Sequence, residues 1–74
     1  MLRCKFERLR RDLRQEDVTR ATGIPQTDVS AIERGRVNPT PSELDALCRL
    51  FEISPDELLK PVDLLRSRSR LRSR

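Results

Sequence analysis

Histidine, tryptophan and tyrosine are absent from the 74-residue sequence, which has only two cysteines and two glycines. Cys4 and Cys48 are far apart, and neither has a second cysteine or a histidine at the spacing of a metal site. The sequence also contains no nucleophile paired with a base and no glycine-rich phosphate loop. We therefore expect no metal, no cofactor and no enzymatic activity.

Long apolar runs are missing as well. None approaches the roughly 20 residues of a membrane span, and the chain does not start with the apolar segment of a signal peptide. These features predict a soluble, cytoplasmic protein with reduced cysteines, with a single disulfide as the alternative. Hydrophobic residues make up 35% of the chain and include two phenylalanines, which predicts one small domain with an aliphatic core. A domain of this size is marginally stable, so we expect a binding partner.

The net charge of +4 is unevenly distributed along the chain. Residues 1–36 have nine basic and six acidic side chains, whereas residues 37–65 have two basic and six acidic ones. Residues 66–74 have five arginines and no acidic residue. A protein that binds a polyanion requires such a separation of positive from negative surface. The distribution therefore favours a polyanion as the partner.

Apolar spacing predicts a first helix over residues 2–11. Its expected core-facing stripe recurs at steps of four, three and four; the stripe consists of Leu2, Phe6, Leu9 and Leu13. Two short helices should follow, Gln15–Thr22 and Gln26–Arg34, with Gly23 as the left-handed stop of one and Gly35 as the stop of the other. The second of these helices should bury Val29 and Ile32.

Two capping signals predict a fourth and a fifth helix. Thr40-Pro41-Ser42-Glu43 and Ser54-Pro55-Asp56-Glu57 both place a hydroxyl residue before proline and a glutamate three positions later. In the fourth helix an apolar stripe from Leu44 to Phe51 includes Leu47 and Cys48, which makes Cys48 a small core residue rather than a reactive thiol.

Residues 15–39 read QEDVTRATGIPQTDVSAIERGRVNP: a short helix, a glycine turn, a second helix ending in Glu-Arg-Gly, then a basic residue and Asn-Pro. This segment resembles the helix-turn-helix of the Xre and lambda-repressor-like (Cro-type) family, and the resemblance extends over residues 2–60. It implies an all-α, compact five-helix DNA-binding domain at residues 1–60. Residues 61–74 would then be an apolar linker and a short, basic, flexible tail.

The resemblance also implies how the chain contacts DNA. The second motif helix would lie in the major groove, with Gln26 and Thr27 at base edges and Ser30 and Ala31 one turn further on. Glutamine can pair with adenine, and threonine offers thymine a hydroxyl and a methyl group. The phosphate contacts implied by the same pattern are Arg14, Gln15, Arg36 and Asn38. For Asn38, a purely structural role in the turn is an equal alternative.

The family pattern further implies a structural ion pair between an arginine of the first helix and Glu33. We assign Arg10 to this pair and keep Arg8 as the alternative. The apolar residues that remain for a dimer contact are Leu58, Leu59, Val62, Leu64 and Leu65. We expect the arginines of the tail to act as a phosphate clamp; the alternatives are a solvated end and a protein-binding segment. These arginines are Arg66, Arg68, Arg70, Arg72 and Arg74.

These features together predict a sequence-specific regulator of transcription. We expect a repressor-like homodimer that binds double-stranded DNA, without a small-molecule ligand and with a regulatory protein as a further possible partner. An antitoxin or adaptor that uses the same fold to bind a protein is the first alternative. RNA binding ranks third, because the absent tryptophan and tyrosine leave no stacking platform for single-stranded bases.

Overall fold

A computed structural model describes residues 1–62, which form five helices. These helices are α1 (Arg3–Arg10), α2 (Gln15–Thr22), α3 (Gln26–Glu33), α4 (Pro41–Phe51) and α5 (Pro55–Leu58). The predicted all-α, five-helix architecture is confirmed, and the boundaries predicted for the first three helices differ from the observed ones by no more than one residue. No helix in this part of the chain could span a membrane, since the longest has 11 residues.

The core is built from one or two apolar side chains of each helix and one from the turn between α2 and α3. Its fully buried members are Cys4, Val18, Ile24, Val29, Ile32, Leu47, Phe51 and Leu58. The predicted buried positions on α3 and two of those on α4 are thus confirmed, and Cys48 packs against the same core while remaining half-buried. The core is aliphatic except for one phenylalanine, as the composition predicts.

The predicted apolar stripe of α1 is confirmed only at its ends, where Leu2 and Leu13 pack against the core; in between, the helix turns a different face inward. Leu9 is 47% exposed and Phe6 is half-buried, whereas Cys4, Glu7 and Arg8 are buried. Burying a charge is costly unless an opposite charge and hydrogen bonds compensate for the lost water. Both charged residues have such partners, and the face that carries them therefore packs inward.

The two predicted capping boxes have different outcomes. In α4, Thr40 Oγ1 accepts a hydrogen bond from the Glu43 N–H at 3.2 Å, and Glu43 Oε1 accepts one from the Thr40 N–H at 3.0 Å. In α5, the prediction of the box is wrong, because the Ser54 side chain makes no capping hydrogen bond. The Glu57 carboxylate instead turns toward α1 and lies 3.3 Å from Arg3 NH1.

The two ends of the described segment pair with each other. Leu2 and Pro61 form an isolated antiparallel bridge, and the Val62 N–H donates to the Met1 carbonyl at 2.8 Å. Two residues of the predicted linker, Pro61 and Val62, are therefore paired with the start of the chain beside α1. The rest of the predicted linker and tail lies outside the described residues.

Both cysteines are unpaired thiols. Burial, together with the smaller effect of the nearby negative charge of Glu33, raises the pKa of the Cys4 thiol to about 11. Burial also raises the pKa of Cys48, with a smaller contribution from Asp45. Since the thiolate is the reactive form of cysteine, both side chains are protonated near neutral pH and are not activated as nucleophiles. Within residues 1–62, no cluster of cysteine and carboxylate side chains is placed to hold a metal ion.

Two threonines of α2 differ in whether their hydroxyl groups are hydrogen-bonded. Thr22 Oγ1 donates to the Val18 carbonyl at 2.7 Å and accepts from the Ile24 N–H at 3.2 Å. Thr19 Oγ1 is buried without a hydrogen-bond partner among the described residues. A buried hydroxyl without a partner destabilises the folded state, because it loses its hydrogen bonds to water.

We expect Thr19→Ala to raise the free energy of unfolding by about 1 kcal/mol, since it removes this unpaired hydroxyl and improves helix propensity. Thr22→Ala, the matched control, should lower the free energy of unfolding by about 1 kcal/mol because two hydrogen bonds are lost. Urea denaturation followed by circular dichroism measures both values. Equal destabilisation by the two substitutions would show that the Thr19 hydroxyl is in fact paired.

Candidate nucleic-acid interface

A glycine turn fixes how α2 and α3 meet. Gly23 has a φ of 80°, a left-handed conformation that a side chain disfavours, and its N–H donates to the Thr19 carbonyl at 2.8 Å. Ile24 follows and is 3% exposed, so it anchors the turn in the core. Pro25 then precedes the first residue of α3. The predicted turn is confirmed, and it places two short helices in direct contact.

The eight residues of α3 divide into a buried face and an exposed face. Val29 and Ile32 point into the core, and Glu33 is buried beside them. Gln26 and Thr27 are exposed, and Ser30 and Ala31, one turn further, are half-buried. The four side chains predicted to read bases therefore share the outer face of α3.

An open groove joins this outer face of α3 to the N-terminus of α2. We call it the α2–α3 groove; it is lined by Gln15, Gln26, Thr27, Ser30, Ala31, Arg34 and Arg36. Six of the eight predicted DNA-contacting residues are thus brought together. Arg14 and Asn38 do not line the groove: Arg14 points into solvent and lies 3.8 Å from Glu16, and Asn38 is exposed in the loop after α3.

A buried ion pair holds α3 against α1. Arg8 Nε and NH2 donate to the two oxygens of Glu33 at 2.6 and 3.1 Å, and Arg8 NH1 donates to the Leu13 carbonyl at 2.9 Å. The assignment of Arg10 to this pair is wrong and the alternative, Arg8, is confirmed. Arg10 follows Arg8 by two positions, about 200° around the helix, so its side chain is exposed and lies 3.7 Å from Glu7.

The same carboxylate also orients a residue of the groove. Gln15 Nε2 donates to Glu33 Oε1 at 3.2 Å, and Gln15 is the first residue of α2. Its backbone N–H lies at the helix N-terminus, where unpaired N–H groups and the helix dipole favour an anion. The Arg8–Glu33 pair thus connects the packing of α1 to the geometry of the groove.

Positive charge in the groove is not neutralised by neighbouring carboxylates. Eight of the eleven lysines and arginines in residues 1–62 lie within 4.0 Å of a carboxylate of that segment. The other three are Lys5, Arg34 and Arg36, and the two arginines both line the α2–α3 groove. No acidic residue lines it. The groove is therefore a positively charged surface with amide and hydroxyl groups.

Arg34 is the lining residue that the sequence analysis missed. It follows Ser30 by four positions, and this spacing places two side chains on one face of a helix. Its NH2 donates to Ser30 Oγ at 2.7 Å. The spacing of four residues from Ser30 could have placed Arg34 on the outer face of α3. Because Arg34 stands next to the glycine that ends the helix, its position indicated only a helix end.

The structure places the residues predicted for the dimer contact in different environments. Leu58 is 0% exposed and belongs to the core, so its assignment to a dimer contact is wrong. The reason is that α5 has a single turn, which packs against α1 and α4 and turns this leucine inward. Leu59 and Val62 are half-buried. Leu64, Leu65 and the five tail arginines lie outside the described residues.

Comparison with known proteins gives one family and one named relative. Residues 5–60 match the family described as the helix-turn-helix domain. A protein of Sinorhizobium fredii (strain NBRC 101917 / NGR234), named as an uncharacterized HTH-type transcriptional regulator, is 43% identical over 60 residues, which cover 78% of each chain. No solved structure matches the chain with significance. The matched residues include the turn and every residue that lines the α2–α3 groove.

Proposed function

This chain belongs to the helix-turn-helix family of Xre-like proteins, and from that premise we propose that it is a repressor-like regulator of transcription that binds double-stranded DNA. One observation supports this proposal above all others: the α2–α3 groove combines four side chains of the outer face of α3 with two arginines that no carboxylate of residues 1–62 neutralises. Phosphates require positive charge, and base edges require hydrogen-bonding side chains on a narrow element. The α2–α3 groove supplies both.

In this proposal α3 enters the major groove, which is about 12 Å wide and admits one helix. Gln26 and Thr27, at the start of α3, face base edges, and the Gln26 amide can pair with N6 and N7 of adenine. Ser30 and Ala31 lie one turn further. Ala31 offers only a methyl group, which suits the methyl group of thymine.

The N-terminus of α2 contacts the DNA backbone beside the major groove. The hydrogen bond to Glu33 fixes the orientation of the Gln15 side chain, so its second amide hydrogen can donate to one phosphate. The backbone N–H groups at the start of α2 donate to the same phosphate. Arg36 contributes charge at the other end of α3, and Arg14 and Asn38 are further phosphate contacts at the periphery. These contacts set the position of α3 and carry no sequence information.

The protein acts as a homodimer and represses by occupying its operator. Two protomers would bind half-sites about one helical turn, roughly 34 Å, apart. The dimer contact combines Leu59 and Val62 with Leu64 and Leu65. The five tail arginines add phosphate contacts that raise the affinity for every sequence.

Selection of bound duplexes from a random pool, followed by competition binding, tests the proposal. Gln26→Ala should reduce the preference for one base pair by about 1–3 kcal/mol and leave the other positions unchanged. Arg36→Ala, the matched control, should weaken binding to all duplexes alike and reduce the salt dependence by about one unit of log–log slope. An unchanged preference in Gln26→Ala would contradict base reading by α3. A stoichiometric protein partner with no duplex bound at low salt would instead support an antitoxin or adaptor.

A further inference from the structure

The guanidinium of Arg34 is held in a defined position on the outer face of α3. Its NH2 donates to Ser30 Oγ at 2.7 Å, one helical turn toward the N-terminus. Arg34 is the residue at which α3 ends, and side chains of a helix lean toward its N-terminus. The guanidinium therefore lies beside the middle of α3 and not beyond its end.

This position coincides with a gap in the row of polar side chains. Gln26 and Thr27 occupy the first turn of the outer face, whereas Ala31 in the next turn has no hydrogen-bonding group. The guanidinium of Arg34 is the long polar group that reaches this turn, and both residues line the α2–α3 groove. Within residues 1–62 no carboxylate lies within 4.0 Å of it, so its charge is available to a ligand.

The donor pattern of the guanidinium selects one base. Arginine has five N–H donors and no acceptor, and the bond to Ser30 uses one of them. In the major groove guanine presents two neighbouring acceptors, O6 and N7, whereas adenine presents an acceptor beside a donor. A planar group with two parallel N–H donors therefore matches guanine and not adenine.

We propose that Arg34 is a base-reading residue that contacts O6 and N7 of a guanine, and that Ser30 is its positioning residue. The inference rests on the proposed function, because it requires α3 to lie in the major groove. It assigns different roles to the two arginines of the groove. Arg36 follows Gly35, has no side-chain hydrogen bond in the described segment that would orient it, and contacts phosphate, whereas Arg34 is fixed by Ser30 and specifies a base.

The experiment uses the full chain and the duplex that it selects from a random pool. A guanine should occur at a constant place in each half-site, and its replacement by adenine should weaken binding of the unmodified protein about 10- to 100-fold. Arg34→Ala should abolish this difference. Arg34→Lys should also lose most of it while keeping the salt dependence, because lysine retains the charge without the planar pair of donors. Circular dichroism checks that the variants are folded.

Two further variants separate positioning from charge. Ser30→Ala should reduce the guanine preference several-fold and leave the salt dependence unchanged, because it removes the orienting bond and no charge. Arg36→Ala should weaken binding while keeping the full guanine preference. The proposal is overturned if Arg34→Ala weakens all duplexes equally and lowers the salt slope by about one unit, which is the result of a phosphate contact. Failure of the unmodified protein to bind any duplex would overturn the proposed function itself, and the two failures are therefore distinguishable.

Discussion

Arg8→Ala is expected to lower the free energy of unfolding by about 3–5 kcal/mol, the usual result of removing one partner of a buried ion pair. The side chain of Glu33 is 6% exposed, and the substitution would leave its carboxylate with only the Gln15 amide as a partner. The Leu13 carbonyl would lose a hydrogen bond in the same step. Since a domain of this size is stable by only a few kcal/mol, Arg8→Ala should be largely unfolded at 25 °C.

Arg10→Ala is the matched control on the same helix. The Arg10 side chain is 57% exposed and lies 3.7 Å from Glu7, so its loss should change the free energy of unfolding by no more than about 0.5 kcal/mol. Urea denaturation followed by circular dichroism measures both variants. Equal effects of the two substitutions would show that Arg8 does not form the buried pair.

A double substitution separates the contribution of the ion pair to stability from that of the packing of its side chains. Replacing both partners of a buried ion pair with apolar residues of similar size is often neutral or stabilising, so Arg8→Met combined with Glu33→Leu should recover most of the stability lost in Arg8→Ala. The Gln15 amide would then lack its acceptor. We therefore expect the double variant to fold and still to bind DNA more weakly than the unmodified protein.

Glu7 should be the second most sensitive position, although nothing in the sequence marks it. It is 1% exposed, and three arginines of α1 and the following turn surround its carboxylate: Arg3 Nε at 2.6 Å, Arg11 through NH1, and Arg10 at 3.7 Å. Arg11 continues to α4, where its NH2 donates to the Phe51 carbonyl at 2.9 Å. We expect Glu7→Gln to lower the free energy of unfolding by about 2–3 kcal/mol at pH 7, since two charged hydrogen bonds lose their acceptor charge.

Glu7 also predicts how stability depends on pH. Burial acts to raise the pKa of its carboxyl group, but the hydrogen bonds from Arg3 and Arg11 and the charge of Arg10 outweigh burial, so the folded pKa lies below the ordinary value of 4.5. A lowered folded pKa means that this stabilisation is complete above the unfolded pKa and is lost as the pH falls through the folded pKa. The unmodified protein should therefore lose stability below about pH 4.5, and Glu7→Gln should lose less over the same range.

Glu57→Gln provides the control for this prediction. Its carboxylate contacts the same Arg3 at 3.3 Å, but the side chain is 46% exposed. Water compensates for the loss of such a pair, and the expected change in the free energy of unfolding is below about 1 kcal/mol at pH 7. An acid transition that is the same in Glu7→Gln and in the unmodified protein would contradict the role assigned to Glu7.

Structural features that depend on residues within one turn or one helix end were predicted correctly from the sequence in most cases. The left-handed turn at Gly23 and the capping box of Thr40 and Glu43 depend on residues no more than four positions apart, and the structure confirms both. The position of Gln26 and Thr27 on the outer face of α3 likewise follows from their place just after the turn. The capping signal at Ser54 failed: its hydroxyl makes no capping hydrogen bond, and Glu57 lies beside Arg3, a residue from a distant part of the chain.

The amino-acid order by itself thus determined where the helices lie, how α2 meets α3 and which side chains α3 presents outward. Only the tertiary structure decided which face of α1 is buried and which arginine pairs with Glu33, because the partners stand 25 positions apart and meet only when α1 packs against α3. It also decided that Leu58 belongs to the core. Whether a charged or apolar side chain is buried depends on the partners that packing supplies, and those partners come from other helices.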